Sequence, residues 1–127
     1  MNAFYLEVAA RANHICEYCR APELSSNFLF EVEHIIPISL GGKSHSDNLA
    51  LACRACNIFK SNFIVGINER LFNPRTDIWE NHFGVDLKTF EIVGLTEIGR
   101  GTISRLRLNS ELQLSARRQW YRLELFP

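Results

Sequence analysis

Four cysteines fall in two tight pairs, Cys16-Glu17-Tyr18-Cys19 and Cys53-Arg54-Ala55-Cys56, separated by 33 residues. A two-residue gap lets both sulfurs of one turn face one ion, and two such turns complete a tetrahedral four-thiolate zinc site. With sulfur in all four positions, that ion would stabilise the fold and leave no open position for a substrate. Disulfides and a thioredoxin-like redox pair are the competing uses of the same residues. The redox motif comes singly, within a strand–helix–strand pattern that this chain does not show. Disulfides need an oxidising compartment. Residues 1–11 carry no basic leader followed by an apolar stretch, so the expected compartment is the cytoplasm. A second polar set surrounds the later cysteine pair: Glu33-His34, Asn48 and Asn57. Taken singly, each has an ordinary explanation as a part-buried histidine, a turn residue or a helix-start cap.

These residues need elements to position them. Phe4, Val8 and Ala12, widened by Tyr5 and Ala9, form an apolar stripe that predicts a helix over 2–13. Residues 28–36, rich in aromatic and β-branched types, read as a strand that Pro37 ends. Gly41-Gly42 marks a loop, residues 48–52 a short second strand, and about 54–63 a helix. The order after the first cysteine pair is therefore β–β–α. Further on, Asn73-Pro74 signals a turn, with Thr76 or Asp77 as the expected cap of a short helix over 79–82. A strand is expected at 89–93 and a helix at 96–108, which Gly99 and Gly101 weaken. A last helix is expected over 110–125, with Leu112, Ala116, Trp120 and Leu123 on its apolar stripe. Phe28, Phe30, Trp79 and Trp120 are expected in the core.

The segment EVEHIIPISLGGKSHSDNLALACRACNIFK, residues 31–60, resembles the HNH endonuclease family. It carries the family's acidic residue before His, its Pro, Gly-Gly loop and Asn-Leu, and Cys-x-x-Cys-Asn with a Lys beyond. The first cysteine pair matches the zinc-bearing branch of that family. The resemblance implies an α+β fold: a ββα-metal core over about 14–63, with an N-terminal helix and a C-terminal helical extension over about 64–127, all one domain. It implies a metal-dependent endonuclease that cuts DNA, double-stranded by expectation, to 5′-phosphate and 3′-hydroxyl ends; RNA is disfavoured by the resemblance alone. By the same resemblance His34 is the general base, Glu33 and Asn57 ligate a catalytic Mg2+ or Mn2+, and Asn48 fixes the His34 ring. Lys60, Arg54 and Lys43 are the expected phosphate contacts. Neighbouring strand residues point to opposite faces, so Glu33 and His34 can share an ion only where the strand ends or bulges. Many members have Asp where this chain has Glu33, and Glu31 on the same strand face is a substitute ligand. The rival reading is a non-catalytic zinc module that binds nucleic acid or protein.

Bulk properties narrow the classes further. The chain has 127 residues, a length typical of one domain, with 46% hydrophobic and 22% charged residues. That excludes a disordered tail, a collagen-like rod and a coiled coil. No apolar run approaches the ~20 residues of a membrane helix. Fourteen basic and fourteen acidic residues exclude a strongly basic coat. Residues 100–127 nevertheless hold six arginines against two glutamates, which permits a local polyanion contact or a solvated helix face.

Overall fold

A computed structural model describes residues 2–61 and 70–127. The chain divides into two compact units, residues 1–62 and 63–127. Both mix helices with a small antiparallel sheet, the expected α+β class.

The first unit opens with helix α1 (Tyr5–Arg11), whose Tyr5, Val8 and Ala9 are buried. Strand β1 (Glu31–His34) pairs antiparallel with β2 (Leu49–Ala52), Glu31 opposite Ala52 and His34 opposite Leu49. Helix α2 (Arg54–Lys60) follows at once. All four residues of Leu49-Ala50-Leu51-Ala52 are buried. The run does not alternate, and both α1 and α2 pack against the β1–β2 hairpin. The expected strand over 28–36 is real only at its centre. Phe28, expected in the core, is 83% exposed, whereas Phe30 is buried. The helix ends at Lys60 with Ser61 outside it at φ of +45°, and residues 62–63 of the expected helix lie outside the described residues.

A buried carboxylate fastens α1 to the approach to β1. Glu23 accepts from the Tyr5 hydroxyl at 2.6 Å, from Nδ1 of His14 at 2.8 Å and from the Phe30 amide at 2.7 Å. Burial alone would raise its pKa, but these donors together hold it below the ordinary glutamate value.

The second unit contains α3 (Trp79–His82), β3 (Phe83–Val85), β4 (Ile92–Gly94), α4 (Glu97–Leu106) and α5 (Glu111–Arg122). Strands β3 and β4 pair antiparallel. Phe72, Trp79 and Phe83 pack ring against ring at 5.0–5.3 Å between centroids. The cap expected from Thr76 or Asp77 is absent: Ile78 precedes α3 without a side-chain cap, and Asp77 instead accepts from Arg70 and from the Asn73 amide. Thr96 and Ser110 do cap α4 and α5, accepting from Gly99 and Gln113. The expected stripe on α5 is corrected. Leu112 and Leu123 are exposed, and the buried positions are Gln113 and Arg117. Arg117 is drawn in by carbonyls: its guanidinium donates to Phe90 O at 2.6 Å and Leu108 O at 2.7 Å. It is therefore unavailable for the polyanion contact the C-terminal arginines suggest. No helix among the described residues is long and apolar enough to cross a membrane.

Candidate active site and zinc centre

The four cysteines meet in the first unit. All four sulfurs are buried and lie within 4.8 Å of one another. Cys16 to Cys19 occupy a tight turn closed by Arg20 N to Cys16 O and Cys16 N to Ala21 O. Glu17 ties this turn to β2 by exchanging bonds with Leu51, through both its amide and its carboxylate. Cys53 sits at the N-cap of α2, where its sulfur accepts from the Cys56 amide at 3.5 Å. Cys16 and its neighbours hold the Cys53 thiol well below the usual range, while hydrogen bonding within the cluster raises Cys19 and Cys56. Four sulfurs in this arrangement suit a structural zinc ion.

Next to this centre, β1 and α2 form a cleft of about 650 Å³ lined by Val32, Glu33, His34, Pro37, Asn57 and Ile58 among others. His34 and Asn57 therefore share one cavity. The His34 ring meets Ser44 Oγ through Nε2 at 2.9 Å. Asn57 meets the carboxylate of Glu31, not that of Glu33, and Glu31 also faces Arg54 at 3.4 Å.

Glu33 lines the same cleft, but its carboxylate meets neither His34 nor Asn57 and is taken up by Tyr18 and Lys60. It is buried, accepts from the Tyr18 hydroxyl, and forms an ion pair with Lys60 Nζ at 2.9 Å. Burial pushes its carboxyl above the ordinary glutamate value, while Lys60 and Tyr18 pull it back. Lys60, expected at a phosphate, is only 5% exposed and points inward. A side chain so placed cannot contact a polyanion without leaving its pocket. Arg54 and Lys43 are exposed.

Asn48 also acts differently from expectation. Its side chain accepts from Ile36 N at 2.9 Å and donates to Ile36 O and Lys43 O. It closes the loop that carries Ser44, and so reaches the His34 ring only through that loop. The loop's glycines are required by the backbone. Gly41 has φ of +89°, and a Cβ on Gly42 would fall 1.8 Å from the Ile36 carbonyl oxygen.

Residues 16–63 match the model of the HNH endonuclease family. No curated protein and no solved structure matches the chain. The matched segment holds both cysteine pairs, β1, the loop, β2 and α2.

Three partners in this site escape sequence reasoning or are underweighted by it. Ser44 carries no signal beyond being a polar loop residue. Tyr18 is signalled only by its place between two cysteines. Glu31 shares a face with Glu33 at a spacing of two, and which carboxylate meets Asn57 is decided by the register of α2 on β1.

Proposed function

We propose that the HNH segment is a metal-dependent endonuclease acting on phosphodiester bonds in double-stranded DNA, releasing 5′-phosphate and 3′-hydroxyl ends. The observation that carries this reading is the shared cleft of His34 and Asn57, with a carboxylate at Asn57. His34 is the general base. In the tautomer that donates Nε2–H to Ser44 Oγ, Nδ1 is left to take the proton from the attacking water. An imidazole suits that task at neutral pH. Ser44 holds the ring plane, and Asn48 holds the loop that presents Ser44.

Asn57 donates through Nδ2 to the Glu31 carboxylate, and with the amide turned to present Oδ1 the two would offer hard oxygens to a Mg2+ or Mn2+ ion that retains several waters. Such an ion, when bound, would neutralise charge on the phosphate and on the leaving oxygen. Glu33 can join them only by giving up Lys60. Arg54 and Lys43 are the exposed cations left to position a DNA backbone without reading its sequence.

The test is cleavage of supercoiled plasmid by folded, zinc-loaded protein, with Mg2+ or Mn2+ and with EDTA. His34→Ala should reduce the metal-dependent rate by roughly 10²- to 10⁴-fold. Absence of cleavage by the folded wild type would return the segment to a non-catalytic zinc module. A metal titration separates the carboxylates. Glu31→Gln and Asn57→Ala should each raise the Mn2+ concentration for half-maximal activity about tenfold, and Glu33→Gln should leave it within twofold. The reverse pattern would make Glu33 the ligand.

A further inference from the structure

Lys60 is a buried cation beside the cleft, and its burial leaves it without the substrate role its sequence position suggests. Its ammonium has three hydrogens to donate. They match three acceptors: Glu33 Oε2 at 2.9 Å, His34 O at 3.1 Å and Ile35 O at 3.0 Å. Successive carbonyls of a regular strand point to opposite edges. Two of them reach one ammonium only where the chain bends, so Lys60 holds the bend at which β1 ends. His34 is the last residue of β1, and its ring direction depends on that bend.

The other end of this network is the zinc turn. The second oxygen of Glu33 takes the Tyr18 hydroxyl, and Tyr18 is fully buried between Cys16 and Cys19. A continuous buried relay thus runs from the cysteine turn through Tyr18, Glu33 and Lys60 to the backbone of the candidate base. We propose that Lys60 is a positioning residue, and that the Tyr18–Glu33–Lys60 relay transmits the rigidity of the zinc turn to His34. This rests on the nuclease reading of the cleft. It assigns Lys60 no contact with substrate, and it gives the metal centre a second task beyond holding the fold together.

The experiment uses the full, zinc-loaded chain. Lys60→Met alone would strand a buried carboxylate, so the main variant is Glu33→Gln with Lys60→Met, which removes both charges. Tyr18→Phe breaks the relay at its zinc end without touching a cysteine. Zinc stoichiometry and circular dichroism establish folding. Plasmid cleavage at saturating Mn2+ gives kcat and KM, and the His34 imidazole resonances are followed by NMR without divalent ion. The double variant should lose about tenfold or more in kcat with KM within twofold, and its His34 resonances should shift. Tyr18→Phe should move both readouts the same way by less, and Lys60→Arg should recover part of the loss.

A folded double variant with wild-type kcat and an unmoved His34 spectrum would overturn the proposal. A loss confined to KM, with a salt dependence of DNA binding flattened in the double variant but kept in Lys60→Arg, would make Lys60 a phosphate contact and overturn it equally. If the wild type cuts nothing, the nuclease reading fails, and the His34 spectrum alone then judges the relay. If the double variant does not fold, Tyr18→Phe decides by the same two readouts.

Discussion

Stripping the metal from the four-cysteine centre is expected to abolish the fold of residues 16–60. The cysteines lie in the turn before β1 and at the start of α2, so the ion joins segments separated by 33 residues of chain. Helix α2 has seven residues and begins at a ligand, Cys53. A helix that short is marginal without tertiary support. Structural zinc contributes on the order of 10–16 kcal/mol in small metal-folded units, as much as the entire stability of a typical domain at about 5–15 kcal/mol. Cys56→Ser should act like a chelator, because three ligands hold zinc far more weakly than four. Circular dichroism and hydrogen exchange, read beside zinc stoichiometry, check this. Retention of amide protection across β1 and β2 after verified metal loss would show the centre to be dispensable.

Replacing Arg117 by Met should be the most damaging single change in the second unit. Two carbonyls, Phe90 O and Leu108 O, accept from its guanidinium, and Asn109 Oδ1 lies at 3.3 Å. Methionine fills much of the volume and supplies no donor. A buried acceptor left unpaired costs roughly 1–3 kcal/mol, so two of them with the lost charge-assisted geometry give about 3–5 kcal/mol. For a unit of this size that lowers Tm by about 12 °C or more. The neighbouring Arg118 is the control. It is exposed and lies over the Phe90 ring at 5.7 Å, so Arg118→Met should cost about 1 kcal/mol or less. Equal melting temperatures for the two variants would refute the assignment of Arg117 as an interior anchor.

The contrast between these two arginines shows what a sequence conceals. Adjacent cations on a helix look alike until the carbonyls that need donors are placed, and those belong to Phe90 and Leu108, outside the helix and 27 and 9 residues earlier in the chain. Lys60 is the same case. Three residues after Asn57 it resembles a surface lysine, and only the bent end of β1 explains its burial. Local chemistry was legible. The cysteine spacing foretold the cluster because a C-x-x-C turn is self-contained. The β–β–α order followed from Pro37, the glycine pair and the apolar run of β2. The expected stripe on α5 failed because a helix face may be buried for its hydrogen bonds as well as for its hydrocarbon. Phe28 failed for the opposite reason: an aromatic residue suits a strand, yet β1 begins three residues later. The pairing of Asn57 with Glu31 instead of Glu33 depends on how α2 sits on β1, a non-local register no pattern states.

The side chain of Asn48 stands in for a strand neighbour of Ile36, offering one acceptor and one donor as a peptide group would. The loop from Pro37 to Asp47 is consequently a closed ring, sealed at its neck whatever runs around its rim. Lengthening such a rim is cheap, since closure entropy grows by only about 0.6 kcal/mol per doubling. New residues inserted beyond Ser44 would change what the loop presents to solvent while leaving β1 undisturbed. The neck makes this loop the natural place to graft a different surface beside an unchanged His34–Asn57 cleft.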